Sequence, residues 1–136
     1  MNHIEQLYLQ IIHNTCTQTS SNITISQDVS ISLINLAQTQ SSLPFLLPYI
    51  KDSSLLTNIK YQTKLMMLNY YQIEQFTRRI ADLFDANNIS YILLKGISLA
   101  AFYPVPEYRQ LGDVDIYIND KEMFNRANAL LLANGY

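Results

Sequence analysis

Two aspartates in the second half of the chain are the residues whose type and spacing point most directly to chemistry. Asp113 and Asp115 are separated by one residue, so on an extended chain both side chains project from the same face. Lys95 and Gly96 follow an apolar run further upstream, and Arg109 lies in the intervening segment. Two carboxylates beside a glycine turn and two cations suit a divalent metal ion that carries phosphates. The pattern therefore predicts a site for a nucleoside triphosphate.

Gly96 is predicted to open a helix directly after a buried strand. The free backbone N–H groups and the dipole of a helix start favour an anion, and Lys95 and Arg109 flank this point to offset phosphate charge. Two other interpretations stay open. Lys95 is also typical of a strand-end lysine whose stem lies on apolar surface, and Arg109 is also typical of a surface salt bridge.

The elements that must position these residues begin with a helical region. Apolar residues at helical spacing predict four helices before residue 88. They run from about Ile4 to Ile12, from the N-cap Ser26 to Thr39, from Phe45 to Ile50, and from about Leu55 to Asn87. The segment from Thr15 to Asn22, rich in Ser and Thr, is predicted to be a loop.

The longest of these helices is predicted to bury one apolar stripe. The stripe consists of Leu65, Leu68, Phe76, Ile80 and Leu83. Asn87 and Asn88 are predicted to end the helix, because asparagine tolerates the left-handed conformation that often stops one.

Two strands and two further helices are predicted after residue 88. Ile89 to Leu94 is nearly all apolar, which predicts a strand buried on both faces. A short helix from Ile97 to Tyr103 is limited by Pro104, which cannot continue it. The alternation from Asp113 to Ile118 predicts a second strand with its aliphatic residues in the core.

The last helix is predicted to begin after Asp120 as its N-cap and to end at Gly135. Its inward residues are predicted to be Met123, Phe124, Ala127, Leu130 and Leu131.

These motifs together resemble a known family. They are Leu93-Leu94-Lys95-Gly96, Tyr103-Pro104, Arg109 and Gly112-Asp113-Val114-Asp115. The arrangement resembles the nucleotidyltransferase superfamily and, more closely, the uncharacterised nucleotidyltransferase family. The resemblance implies an α+β fold in which a helical N-terminal region precedes the start of a nucleotidyltransferase-like mixed sheet with flanking helices. The expected division is a helical region over residues 1–58 and a core over residues 59–136 that is incomplete at its C-terminus.

The resemblance also implies a reaction and the residues that carry it. Asp113 and Asp115 would be catalytic and would hold Mg²⁺ or Mn²⁺, while Lys95, Gly96, Ser98 and Arg109 would bind the phosphates. A nucleoside monophosphate would pass from a nucleoside triphosphate to the hydroxyl of an unidentified acceptor, a small molecule or a protein.

The chain departs from the wider superfamily at two points. The glycine there is followed directly by Ser or Gly, whereas here Ile97 intervenes before Ser98. A third carboxylate is expected on a later strand, so we expect the 136-residue chain to be catalytically incompetent alone and to be the front part of a longer protein. A non-catalytic nucleotide-binding or protein-interaction module that keeps the fold is the alternative. A purely helical interaction domain with an accidental Asp-x-Asp is a third hypothesis.

Composition narrows the class of protein further. A net charge of −2 gives no electrostatic case for a non-specific nucleic-acid binder. One cysteine, Cys16, excludes an internal disulfide and favours a reducing, cytoplasmic location. No apolar stretch reaches transmembrane length, so no membrane partner is expected. The open edge of the predicted sheet is expected to favour self-association.

Three other groups of residues receive a structural interpretation. His13 and Cys16 have helical spacing, but two residues do not make a zinc site. Glu107 is interpreted as a solvated loop acid near the site. The tyrosines Tyr61, Tyr70 and Tyr71 are interpreted as core or interface residues.

Overall fold

Helices and one small sheet make up the computed structural model, which describes residues 2–19 and 22–136. The helices are α1 (His3–Thr17), α2 (Gln27–Thr39), α3 (Ser53–Ala86), α4 (Gly96–Ala100) and α5 (Lys121–Ala133). The strands are β1 (Ile92–Leu94) and β2 (Asp115–Tyr117), and 3₁₀ turns occupy Leu43–Leu46 and Pro106–Tyr108. The predicted α+β class with a helical N-terminal region is confirmed. None of the helices in the described ranges has the length and apolar character needed to cross a membrane.

The first helix continues further than its sequence predicts. Asn2 and Glu5 form a reciprocal capping box at its start. At its other end the hydroxyls of Thr15 and Thr17 donate hydrogen bonds to the carbonyls four residues earlier, at 2.9 and 2.8 Å. The prediction that a loop begins at Thr15 is therefore wrong, because these hydroxyls bond back to the helix rather than to a turn. Residues 20 and 21 of that predicted loop lie outside the described residues.

A first hydrophobic cluster joins α1, α2 and the beginning of α3. The predicted bounds of α2 are confirmed, with Ser26 at the N-cap and Thr39 as its last residue. The short helix predicted over Phe45 to Ile50 is instead the 3₁₀ turn Leu43–Leu46, in which Pro44 occupies one of the first positions. The buried members of the cluster are Ile11, Leu33, Ala37, Leu43, Leu46, Ile50 and Ile59.

The long helix α3 buries a different stripe from the predicted one. Leu65, Leu68 and Phe76 are 43, 50 and 41 % exposed, so the predicted stripe is wrong along most of its length. Ile80 alone among the predicted residues is buried. The buried residues of α3 are Ile59, Thr63, Thr77, Ile80 and Phe84. Two of these residues are threonines, and the Thr77 hydroxyl donates a hydrogen bond to the Ile73 carbonyl at 2.7 Å.

Asp52 caps the N-terminus of α3. Its Oδ1 accepts hydrogen bonds from the backbone N–H groups of Ser54 and Leu55, at 2.9 and 3.0 Å, and from the Ser54 hydroxyl at 2.6 Å. The Ser54 hydroxyl contributes most to lowering the pKa of Asp52, and the Leu55 N–H contributes next. Because the folded-state pKa is lowered, the ionised cap stabilises the fold above the ordinary aspartate range, and this is lost as the pH falls through the folded pKa.

We therefore expect Asp52→Ala to lower the melting temperature by a few degrees near neutral pH and by little at about pH 2. Thermal unfolding followed by circular dichroism at several pH values measures this. Asp82→Ala is the matched control, because Asp82 is an exposed aspartate of α3 that lies far from its N-terminus. A destabilisation by Asp52→Ala that is the same at every pH would show that its carboxylate charge does not matter.

The two strands pair antiparallel in the order β1-β2. Ile92 lies opposite Tyr117, and Leu94 lies opposite Asp115. Both strands are shorter than the predicted runs of Ile89 to Leu94 and Asp113 to Ile118. The prediction that the first strand is buried on both faces is also wrong, since Ile92 and Leu94 are 58 and 43 % exposed. One face of the sheet packs on helices, and the other face is open among the described residues.

A second hydrophobic cluster supports the packed face of the sheet. Its buried members are Ile80, Phe84, Ile89 and Ala127. The partly buried side chains around it include Tyr91, Ile116, Ile118, Met123, Leu130 and Leu131. The ends of α3 therefore lie in two separate clusters, and the second one fixes the position of the strands.

The capping residues of the second half agree with the sequence. Asp120 caps α5 by accepting a hydrogen bond from the Met123 N–H at 2.7 Å. Asn88 has a φ of +52° and Gly135 a φ of +80°, the left-handed conformations predicted for helix ends. The prediction that Phe124 points inward is wrong, because its side chain is 55 % exposed.

Candidate active site

The antiparallel pairing of the strands brings Lys95 against Asp115. Asp115 begins β2 opposite Leu94, the last residue of β1, and Lys95 follows directly. The Lys95 Nζ lies 2.9 Å from Asp115 Oδ2, with the two side chains 62 and 31 % exposed. This ion pair lies on the open face of the sheet, where solvent and ligands have access.

Asp113 lies two residues before Asp115, just before the strand, with its backbone close to Gly96. Its backbone carbonyl lies 3.5 Å from the point that a Cβ on Gly96 would occupy. The pKa of Lys95 is raised, first by its hydrogen bond to Asp115, then by the charge of Asp115, and then by the charge of Asp113. Both carboxylates therefore act on one cation. Asp113 precedes β2, so the prediction that the strand begins at Asp113 is wrong, although its carboxylate stays at the site.

The turn between β1 and α4 requires unusual backbone conformations. Gly96 has a φ of +46°, and Lys95 before it has a φ of +27°. Glycine adopts positive φ without the steric cost that a side chain brings, which explains why Gly96 follows the strand. The helix it opens has five residues and ends at Ala100, earlier than the predicted Tyr103. The dipole of so short a helix is small, so Lys95 and Arg109 carry most of the positive charge here.

Arg109 ties the following loop to this turn. Its Nε donates a hydrogen bond to the Gly96 carbonyl at 2.9 Å, and its Nη1 donates one to the Tyr103 hydroxyl at 3.2 Å. The guanidinium carbon also lies 5.5 Å from the centre of the Tyr103 ring, within the range of a cation–π contact. No salt bridge to Arg109 occurs within the described ranges. A guanidinium has five N–H donors, so Arg109 fixes the turn and keeps donors for a phosphate.

The Ser98 hydroxyl is engaged with the backbone of the same turn. It donates a hydrogen bond to the Lys95 carbonyl at 2.6 Å, and the Leu93 carbonyl lies 3.5 Å away. The side chain is exposed. The hydroxyl proton therefore stabilises the left-handed turn, and the role of Ser98 as a phosphate ligand stays a prediction.

The middle of α3 holds the loop that carries Arg109. Asn69 Nδ2 donates a hydrogen bond to the Leu111 carbonyl at 2.6 Å, and the Tyr71 hydroxyl donates one to Glu107 Oε1 at 2.8 Å. Glu107 therefore ties the loop to α3 through an exposed hydrogen bond, and its interpretation as a solvated loop acid stays a prediction. Sequence reasoning missed Asn69. An asparagine in the middle of a long helix, where its propensity is poor, was the available signal.

The donor set of the site consists of two carboxylates. The described residues contain no cluster of three or more His, Cys, Asp and Glu side chains arranged to hold a metal ion. Among the described residues, His13 and Cys16 belong to no such cluster. Magnesium is commonly held by one or two carboxylates together with substrate phosphates and water. Asp113 and Asp115 are of the right type and number for that mode of binding.

Comparisons with known proteins agree with this chemistry at the level of the family. Residues 32–136, more than three quarters of the chain, match the family described as "Uncharacterised nucleotidyltransferase". The match includes α3, both strands and each residue of the site. No curated protein and no solved structure matches the chain.

Proposed function

The chain belongs to the uncharacterised nucleotidyltransferase family, and from this premise we propose that it transfers a nucleoside monophosphate from a nucleoside triphosphate to an acceptor hydroxyl. The observation that carries the proposal is the Lys95–Asp115 ion pair beside the Gly96 turn, with Asp113 two residues before Asp115 and its backbone carbonyl close to Gly96. A point where two carboxylates stabilise one cation suits a divalent metal ion as well. The proposal includes a cytoplasmic setting, which a single cysteine supports.

Asp113 and Asp115 would hold Mg²⁺ or Mn²⁺, and the donor set fits either ion. When bound, the metal supplies charge stabilisation to the phosphoryl oxygens and to the leaving pyrophosphate. Lys95 pairs with Asp115 in the absence of nucleotide, and its long flexible side chain lets the ammonium turn to a phosphate oxygen instead. The chain itself thus provides both the anionic ligands and the compensating cation.

The proposed transfer is an in-line displacement. The acceptor oxygen forms a bond to the α-phosphorus, the bond from that phosphorus to the bridging oxygen breaks, pyrophosphate leaves, and the hydroxyl proton passes to solvent. Arg109 keeps the Gly96 turn in position and directs its remaining N–H groups to the phosphates. Fixed placement of the triphosphate matters because positioning contributes a large part of such rate accelerations.

Two measurements test the proposal. They are metal-dependent binding of a nucleoside triphosphate and release of pyrophosphate in the presence of hydroxyl-bearing acceptors. Calorimetric titration with ATP in magnesium and in EDTA measures the first step. A coupled pyrophosphate assay measures the second. Binding that does not depend on the metal would contradict the proposal.

A non-catalytic nucleotide-binding module is the second candidate. The observation that favours it is the Lys95–Asp115 ion pair, which stabilises the site without any metal ion. Magnesium-dependent ATP binding with no pyrophosphate release from any acceptor, both by this chain and by a longer chain that supplies a third carboxylate, would support this candidate over transfer.

We expect Arg109→Ala to weaken binding of magnesium-ATP about tenfold or more and binding of adenosine much less, because a charge-assisted contact acts on the phosphates. Titration calorimetry with both ligands measures the ratio. Arg79→Ala is the control, since Arg79 is an exposed arginine of α3. Equal losses for ATP and adenosine would show that Arg109 acts only by holding the Gly96 turn.

A further inference from the structure

A cleft lined by side-chain amides lies between α2, the middle of α3 and the loop that follows Arg109. It consists of two adjoining cavities of about 430 and 400 Å³. The cavities share Ser41, Gln110 and Leu111, so they lie next to each other, and we call the two together the amide cleft. Its combined size falls in the range of small-molecule sites.

The position of the amide cleft relates it to the candidate active site. Arg109 and Gly112 line its second cavity, and Gly112 directly precedes Asp113. A molecule in the second cavity therefore lies beside the guanidinium proposed to hold the phosphates and beside Gly112, the residue that precedes Asp113. An acceptor for transfer has to lie at such a place, because its hydroxyl must approach the phosphorus in line.

Neutral hydrogen-bonding groups dominate the walls of the amide cleft. Gln38, Gln62, Asn69 and Gln110 contribute side-chain amides to the first cavity, and Gln40 contributes one to the second. Asn69 is engaged with the Leu111 carbonyl. The side-chain amides of the glutamines form no hydrogen bonds with other described residues, so they are available to a ligand. No carboxylate and no lysine is among the lining residues, and Arg109 is the one charged residue there.

Three leucines and one methionine add apolar surface to the first cavity. Leu43 and Leu111 are 4 and 5 % exposed, whereas Leu65 is 43 % exposed, and Met66 is half-buried beside them. An amide both donates and accepts hydrogen bonds, which matches a hydroxyl group on a ligand. The aliphatic surface matches the C–H faces between hydroxyl groups.

We infer that the amide cleft binds the acceptor and that the acceptor is a neutral polyhydroxylated molecule, a sugar or polyol. This inference rests on the proposed function, because it assigns the substrate class of the same site. A cationic acceptor is disfavoured, since the cleft offers it no carboxylate and places Arg109 near it. A hydroxyl-rich neutral molecule fits both the amides and the aliphatic surface.

Saturation-transfer NMR with methyl glucoside and inositol as neutral probes, and glucosamine as a cationic probe of similar shape, tests the inference. We expect saturation transfer to the neutral probes and little to glucosamine. Gln62→Leu and Gln110→Leu should each weaken binding of the neutral probes about fivefold, because each removes one or two hydrogen bonds. Gln75→Leu, an exposed α3 glutamine outside the cleft, should leave the binding unchanged.

A second measurement links the cleft to the nucleotide. With Mn²⁺-ATP present, the bound metal should broaden the resonances of methyl glucoside, and Asp113→Asn should remove the broadening while leaving the saturation transfer. If Mn²⁺-ATP binds but neither neutral probe shows saturation transfer, the inference is overturned and the proposed function stands. If the probes bind but Mn²⁺-ATP does not, the proposed function fails and the cleft is not an acceptor site. Preferential binding of glucosamine also overturns the inference.

Discussion

Asp115→Asn is expected to weaken binding of a magnesium nucleoside triphosphate about 100-fold, because it removes a charged metal ligand. Without metal, the same substitution should strengthen ATP binding rather than weaken it. Asp115 repels phosphate and holds the Lys95 ammonium at 2.9 Å, so its neutralisation frees Lys95 and should strengthen the weak binding of ATP in EDTA. This reversal of sign separates a metal ligand from a residue that merely supports the fold.

Calorimetric titration of both variants, Asp113→Asn and Asp115→Asn, with ATP in magnesium and in EDTA measures the effect. Glu122→Gln is the matched control, because Glu122 is an exposed carboxylate at the start of α5, outside the site. An Asp115→Asn protein that binds magnesium-ATP as tightly as the wild type would remove the metal site from this part of the fold. Parallel losses with and without metal would point to a structural role.

Phe84→Ala is expected to lower the free energy of unfolding by about 3–5 kcal/mol, because it leaves a cavity in a packed core. Phe84 is 1 % exposed and belongs to the second hydrophobic cluster. Its ring meets Tyr91 edge to face, with the centroids 5.4 Å apart. Since this cluster lies under β1 and β2, its loss should also displace the strand that presents Asp115.

Urea denaturation at constant temperature measures the change in the free energy of unfolding. Phe102→Ala is the control, because Phe102 is 82 % exposed and its truncation should change that free energy by less than about 0.5 kcal/mol. The loss of unfolding free energy for Phe84→Leu should lie between the losses for Phe84→Ala and Phe102→Ala. Similar losses for Phe84→Ala and Phe102→Ala would mean that the second cluster does not determine stability.

The sequence predicts local features of this fold better than it predicts packing. The N-cap Asp120 and the left-handed Asn88 follow from side-chain and backbone chemistry within a few residues, and the structure has them in place, whereas Ser26 occupies the N-cap position without a side-chain capping bond. The adjacent strands likewise follow from short runs of alternating or apolar residues. The lengths of the strands do not, because each ends where its single partner ends.

The stripe predicted for α3 shows why side-chain packing could not be predicted from the sequence. Helical periodicity predicts that Leu65, Leu68 and Phe76 are buried. These side chains are exposed, whereas Thr63 and Thr77 are buried. The decision between two helical faces depends on which loops cross the helix, and those contacts join residues far apart in the chain. The tether from Asn69 to Leu111 has the same origin. At the site, the residue types could be identified from the sequence. The pairing of Lys95 with Asp115 could not, because it depends on the register of the two strands.

The length of α3 sets an angle as well as a distance. One helix of 34 residues carries the first cluster near Ile59, the Asn69 tether in its middle and the second cluster near Ile80. Each added residue turns everything beyond it by about 100° and advances it by about 1.5 Å. Substitutions between Thr63 and Thr77 leave this phase untouched, whereas a single insertion or deletion there rotates one cluster away from the other. The exposed positions of this stretch therefore tolerate substitution more readily than the stretch tolerates a change in its number of residues.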